Sequence, residues 1–308
     1  MSMISSDFLY NINQRMKDIF DSKDEFSAGL AGDILQLSPV KGTPIFKEPT
    51  GKKNKEYYHI QPTELSQGGN LWENCTVVYL KTNYRQGDGN PWTSLLNRVR
   101  KGEPTEMDIE LLKSRKSSLM SKEQSEKAAH IYFKNKDVLG YNKKMFKTLP
   151  TTHYQNGAKI GVPKGSNYKP YINESKGTIG NSNFSEIVDV KVGARVMLVF
   201  NINIPDLLVN GALGTVIGIE LDKKGEIECV VISFDIPNTG LSQIHEFKQI
   251  SEKYSDQNGC PIYKHTVEEF ITYSRGRRSH WSSFQITQFS IRLAWASTAH
   301  KVQGVTIK

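Results

Sequence analysis

Ile4, Phe8, Ile12, Met16 and Phe20 recur every four positions and share one face, which predicts an amphipathic helix over residues 4–20. Ser5, Ser6 and Asp7 offer side-chain oxygens to cap its first turn. The apolar stretch from Leu30 to Val40 is broken by Gly32 and Pro39, and residues 41–70, rich in Lys, Gly, Pro and Gln, read as loop. Cys75 to Leu80 holds β-branched and aromatic residues in the manner of a strand and runs into a Gly-rich turn. Trp92, Leu95, Leu96 and Val99 fall on one helical face closed by Gly102. Thr105, with Asp108 three residues on, opens a further helix to Leu112 through a capping box. Ile131 to Phe133 predicts a short strand, and Val138 to Leu149 a helix.

Residues 151–183 are polar and Gly-rich and read as a loop or partly disordered insertion. Beyond Val188 the pattern changes to short strands, at Val196 to Phe200, Leu213 to Glu220, Glu226 to Phe234 and Phe270 to Tyr273, separated by Gly, Asn and Pro. That spacing predicts a small β-barrel. Gln285 to Trp295 reads as one more strand, and Thr298 to Gly304 as the opening of a helix. No internal repeat is present.

At ~150 residues per domain, 308 residues suggest two units. A hydrophobic share of 37% supports a folded core rather than whole-chain disorder. Lys plus Arg is 40 against 32 Asp plus Glu, and the net charge of +8 favours an anionic partner, nucleic acid above all. Cys75, Cys229 and Cys260 are far apart with no CxxC pair, so neither a zinc site nor a disulfide framework is suggested. Asp7, Arg15, Lys17 and Asp18 rule out a signal peptide within the first twenty residues, and no apolar run approaches the ~18 residues of a membrane helix. The expectation is a soluble, intracellular protein with no membrane partner.

Four segments, in order, carry the candidate chemistry. They are Gly32-Asp33-Ile34-Leu35-Gln36-Leu37-Ser38-Pro39-Val40; Asn83-Tyr84-Arg85-Gln86 with the helix ending at Gly102; Val192-Gly193-Ala194-Arg195-Val196-Met197-Leu198 with Leu208-Val209-Asn210-Gly211-Ala212-Leu213-Gly214; and Arg292-Leu293-Ala294-Trp295-Ala296-Ser297-Thr298-Ala299-His300-Lys301-Val302-Gln303-Gly304. Together they resemble the superfamily I, 5′-to-3′ DNA helicases of the petite-integration-frequency type, with the texture of copies carried by Helitron-like transposons.

The resemblance implies an α/β fold. Residues 1–74 would be the end of a first RecA-like domain, 75–190 and 284–308 the two segments of a second, and 191–283 an inserted Src-homology-3-like barrel. It implies ATP with Mg²⁺ as cofactors, single-stranded DNA as partner, a nuclear setting and roles in DNA repair, recombination and telomere maintenance. Gln36 would touch the γ-phosphate through its amide, Asp33 would hold that loop near the metal, and Arg85 would reach the γ-phosphate from the second domain. Thr298, His300, Lys301 and Gln303 would lie along single-stranded DNA, with Gly304 allowing close backbone approach. Asn210 suits a DNA-proximal loop and a plain Asn-Gly turn equally. Arg275, Arg277 and Arg278, with His280 and Trp281, form a basic and aromatic cluster that could track phosphates or simply be solvated.

Two parts of such a helicase are not in the sequence: the GxxxxGK[ST] phosphate loop and the acidic pair that holds magnesium. Met1-Ser2-Met3 matches the end of the acidic motif, so the chain is expected to start just past the carboxylates, and to stop at Lys308 before the last arginine motif. The segment before Gly32-Asp33 is poor in β-branched residues for a central strand. The expectation is a piece of an ATP-dependent DNA helicase that alone hydrolyses ATP negligibly. The rival is a non-enzymatic, single-strand-binding remnant of a transposon-derived helicase.

Overall fold

The computed structural model describes residues 4–21, 32–33, 35–39, 42–46, 76, 78–79, 90–116, 119–121, 124, 128–162, 172–174, 177–180, 182–275 and 278–303. The chain divides into two units, Met1–Glu126 and Lys127–Lys308.

In the first unit α1 spans Ser6–Phe20, with the Ser5 hydroxyl accepting from the Phe8 N–H at 3.3 Å and Asp21 ending it in the left-handed region. Leu9 and Asn13 are its buried members. Helix α2, Pro91–Lys101, begins where the Asn90 side chain accepts from the Trp92 N–H at 3.0 Å. It stops at Gly102, whose φ of 81° only glycine adopts at little cost. The capping box of α3, Glu106–Lys113, is formed as expected: the Asp108 N–H donates to Thr105 Oγ1 at 3.2 Å and the Thr105 N–H to Asp108 Oδ2 at 2.9 Å. The same carboxylate takes a two-pronged contact from Arg98, Nε at 2.7 Å and Nη2 at 2.6 Å, and so ties α3 to α2. The strand expected at 75–80 is not seen at its described residues: Thr76, Val78 and Tyr79 pair with no strand, and Val78 and Tyr79 are strongly exposed. β-propensity forms a strand only where a partner edge satisfies the backbone.

The second unit opens with β1, His130–Tyr132, and α4, Asn135–Thr148. Helix α4 ends where the Lys191 ammonium donates to the Leu149 carbonyl at 2.7 Å and the Phe146 carbonyl at 3.3 Å, a cation placed at a helix C-terminus. There follow β2 (Tyr154–Gly157), β3 (Lys159–Gly161), β4 (Ile172–Asn173), β5 (Thr178–Ile179), β6 (Ile187–Val190), β7 (Arg195–Leu198), β8 (Leu213–Leu221), β9 (Ile227–Phe234), α5 (Leu241–Glu246), α6 (Lys248–Lys253), β10 (Gly259–Arg275), β11 (Arg278–Phe289), β12 (Ile291–Leu293), β13 (Ala296–Thr298) and α7 (Ala299–Val302). Seven strands form one sheet in the order β12-β7-β8-β9-β10-β11-β3. Its pairings are antiparallel, and its core gathers Val196, Leu198, Val216, Ile232, Ile262 and Phe289. The sheet accounts for the run of short strands read from the sequence.

Two expectations are corrected here. The loop expected over 151–183 contains β2 to β5, because long-range partners capture it: β2 pairs with β6, and β3 with β11. Buried Gln288 seals the arrangement, accepting from Asn156 Nδ2 at 2.5 Å and from the Phe289 N–H at 2.9 Å while donating to the Asn156 carbonyl at 3.1 Å. The single strand expected from Gln285 to Trp295 is broken at Ser290, where the chain changes partners: β11 pairs with β10 and β3, and β12 with β7. The Val199 N–H donates to the Ser290 carbonyl at 2.9 Å at that switch.

Gly214 in β8 is a steric necessity, since an added Cβ would meet Ile232 Cγ2 at 2.5 Å and the Ser233 carbonyl oxygen at 2.7 Å. Gly214→Ala is therefore expected to cost about 1–3 kcal/mol of stability in urea unfolding. A change below a few tenths of a kcal/mol would show that the β8–β9 contact relaxes freely. In the first unit, Arg98 and then the Thr105 N–H hold the Asp108 carboxyl well below the usual carboxylate range. Its contribution is present above the unfolded carboxyl pKa of about 3.9 and fades as pH falls through the lower folded value. Asp108→Asn is expected to lower the melting temperature at pH 7 and to flatten its decline below pH ~4, followed by circular dichroism.

Candidate nucleic-acid interface

Two parallel strands set the frame of the candidate site. β1 pairs with β13 in the register His130–Ala296, Ile131–Ser297 and Tyr132–Thr298, so both strands run to the same edge and end side by side. Helix α4 packs across one face. There the Tyr141 hydroxyl and His130 Nε2 lie 2.7 Å apart with their rings 4.2 Å apart, and the Tyr132 ring is 5.9 Å from that of Tyr141.

Asn142 makes the tightest tie. Only 4% exposed, its amide nitrogen donates to the Leu293 carbonyl at 3.0 Å and the Ala296 carbonyl at 3.2 Å, while its oxygen accepts from the Ala296 N–H at 2.8 Å. One side chain thus satisfies three backbone groups on either side of Ala294-Trp295, where β12 has ended and β13 not yet begun. The residue was missed from the sequence, although a signal is there: Leu139, Asn142, Phe146 and Leu149 share helical spacing, so a polar residue interrupts the apolar stripe.

From β13 the chain turns directly into α7. Thr298 is the residue before the helix, with extended backbone (φ −82°, ψ 149°), and no side-chain cap is made there. The helix expected from Thr298 to Gly304 is shorter, running only over Ala299–Val302, with Gln303 already extended. Its brevity is intelligible: four residues lie below the length at which helix propagation outweighs nucleation, so the anchored strand β13 holds it rather than its own hydrogen bonds. Thr298, His300, Lys301 and Gln303 share this one turn, partly exposed, with Lys301 the most open. Gly304 lies outside the described residues.

Asn210 sits in the connection between β7 and β8, where its backbone N–H donates to Asn201 Oδ1 at 2.7 Å and Gly211 takes φ 99°. Arg275 and Arg278 end β10 and β11 as register partners, with His280 opposite Tyr273 and Trp281 opposite Thr272; Arg277 lies outside the described residues. In the first unit Asp33 and Gln36 come together. Asp33 Oδ1 accepts from the Leu35 N–H at 3.1 Å, Oδ2 accepts from the Gln36 amide at 3.4 Å, and Arg100 bonds Oδ2 at 2.7 Å. Arg85 lies outside the described residues. Arg100 already neutralises the Asp33 carboxylate, and among the described residues no cluster of three His, Cys, Asp or Glu could hold a metal, so these groups do not make a magnesium site. No helix among the described residues is long and apolar enough to cross a membrane.

By its likeness to solved structures the chain has an α/β fold of the RecA-like helicase kind. The solved structures it resembles are Pif1 from Candida albicans (TM-score 0.62, 19% identity, 99% of this chain and 62% of that one) and Bacteroides Pif1 bound to ssDNA (0.59, 19%, 100% and 61%). A third, Bacteroides Pif1 with ADP-AlF3 and ssDNA, gives 0.61 at 20% identity over 99% of this chain and 61% of that one. In sequence it matches the ATP-dependent DNA helicase PIF1 of Homo sapiens, 25% identical over 282 residues, 90% of this chain and 35% of the human protein. The zebrafish protein of that name is 24% identical over 312 residues, 100% of this chain and 40% of its own length. No protein-family profile matches. The chain is similar in sequence to these PIF1 helicases, and it spans between a third and two-fifths of the length of the two curated relatives.

Asn142→Ala would leave an N–H and two carbonyls of the 293–296 segment buried without their partner. The expected loss is about 2 kcal/mol or more in stability, with faster amide exchange at Ala296 than at Val230 in the sheet core. Equal exchange at both would show that the segment is held by other means.

Proposed function

We propose that this chain is part of an ATP-dependent DNA helicase and that its second unit grips single-stranded DNA through Thr298, His300, Lys301 and Gln303. The observation that supports this most is the edge where β1 and β13 end together: in parallel α/β sheets, ligands settle at the carboxyl ends of strands. A hydroxyl, an imidazole, an ammonium and an amide on one turn there suit phosphate oxygens, which position a strand without reading its sequence. The net charge of +8 acts in the same direction over longer range. The relatives named above are called ATP-dependent DNA helicases, and one neighbour was solved with ssDNA.

In this reading the inserted barrel takes the strands from β7 into β11, the segments 1–74, 75–190, 191–283 and 284–308 are the proposed division, with β11 crossing its last boundary, and Gln36 and Arg85 belong to the nucleotide site of the complete assembly. Asp33 is engaged by Arg100, and the 308 residues carry no phosphate loop beside Gln36 and Arg85. Asn210 and the basic ends of β10 and β11 are further candidates for DNA contact. Activity on DNA makes the nucleus the proposed compartment. The missing phosphate loop keeps a second reading in view, single-strand binding without turnover.

Binding of an oligo-dT strand followed by fluorescence anisotropy across a salt series tests the reading. Lys301→Ala is expected to weaken binding several-fold and to lower the slope of log K against log salt by about 1. An unchanged slope removes Lys301 from the interface. This chain alone is expected to hydrolyse ATP negligibly, and DNA-stimulated hydrolysis abolished by Gln36→Ala or Arg85→Ala would overturn that; salt-dependent binding indifferent to nucleotide supports the binding-only reading.

A further inference from the structure

Phe133 stands at the same edge as the proposed strand-binding turn and nothing in that reading uses it. It follows Tyr132 directly, and Tyr132 is the register partner of Thr298, so Phe133 leaves β1 beside the point where the chain enters Thr298-Ala299-His300. The two preceding aromatic groups on this strand, His130 and Tyr132, are packed with Tyr141 on α4. Phe133 is 83% exposed, the most exposed of the large hydrophobic residues described in the chain. A phenyl ring held in water at the end of an anchored strand loses the burial that an apolar side chain normally gains.

Along the chain it stands between the half-exposed Ile131 and two exposed cations. Lys134 and Lys136 follow it and are exposed, and Lys134 makes no side-chain cap to α4. His300 and Lys301 lie on α7, which follows directly from the end of β13. An aromatic ring followed by two exposed lysines suits a ligand that alternates anionic groups with flat apolar faces. A single nucleic-acid strand has that chemistry, phosphates at the backbone and bases with exposed π-faces.

We propose that Phe133 is a base-stacking platform: a nucleobase of the strand whose phosphates are held at Thr298–Gln303 lies on its ring. This rests on the single-strand reading above and adds to it the part of the ligand that phosphate contacts leave unheld. Phe133 directly follows Tyr132, the last residue of the β1–β13 pairing, so its backbone is anchored on one side, and stacking tolerates any base because each has a π-face.

The test uses the full chain with two probes of equal length, oligo-dT and an oligomer carrying abasic sites at every second position. Phe133→Ala is expected to lower oligo-dT affinity about tenfold, within the range measured for base–aromatic stacking, and to leave the abasic strand and the salt slope unchanged. Phe133→Trp is expected to retain binding, and Phe133→Leu, apolar without a ring face, to lose it. At 83% exposure the ring contributes little to the fold, and an unaltered unfolding midpoint in each variant confirms that. If Lys301→Ala weakens binding while Phe133→Ala does not, or if Phe133→Ala weakens both probes equally, the stacking platform is overturned and the phosphate reading stands. If wild type binds no single strand at all, both fall together.

Discussion

The buried amide of Asn142 decides where the end of this chain can go. Between β12, which closes one edge of the seven-stranded sheet, and β13, which pairs in parallel with β1, the backbone must leave one sheet and enter another. Such a crossing exposes peptide groups that neither ladder satisfies, and buried peptide groups left alone are costly. Asn142 meets that demand from α4 with three hydrogen bonds to Leu293 and Ala296. The register of β13, the turn at Thr298 and the place of Phe133 all follow from that anchor. A charged residue could not do it, since it would offer donors or acceptors but not both.

The same logic, polar groups placed where sheets exchange partners, recurs at Gln288. Its amide satisfies Asn156 and the Phe289 N–H inside the core, and brings the 151–161 segment into register beside β11. Elsewhere the hydrophobic pattern is enough. β8 alternates buried and less buried residues along its length, and β9, packed on both faces, reads as a continuous apolar run. Asp206 adds a third case: its buried carboxylate accepts from the Ser242 N–H and hydroxyl at the start of α5, capping that helix from a loop 36 residues away in sequence.

The two candidate sites differ in how their backbone is held. In the first unit Asp33 is committed to Arg100 and Gln36, an arrangement that fixes the loop and leaves its carboxylate neutralised. In the second unit Thr298, His300, Lys301 and Gln303 follow one another past an anchored strand, with Lys301 and Phe133 exposed. Binding groups on an anchored backbone lose less entropy on engaging a ligand, which is why the second edge carries the functional reading.

The sequence by itself determined what is local: the four-residue spacing behind α1, the Ser5 and Thr105 caps, the Gly102 stop, and the β-rich texture after Val188. It also determined the resemblance, because Thr298, His300, Lys301 and Gln303 are neighbours along the chain and need no fold to be read together. Only the tertiary structure decided that polar, Gly-rich residues 154–161 are strands, that the run from Gln285 to Trp295 breaks at Ser290, and that α7 is four residues long. It alone placed Phe133 beside Thr298, more than 160 residues apart. The reason is the same in each case: a strand's hydrogen-bond partners, and a ring's exposure, are set by segments distant in sequence, and periodicity reports only on the residue's own neighbours.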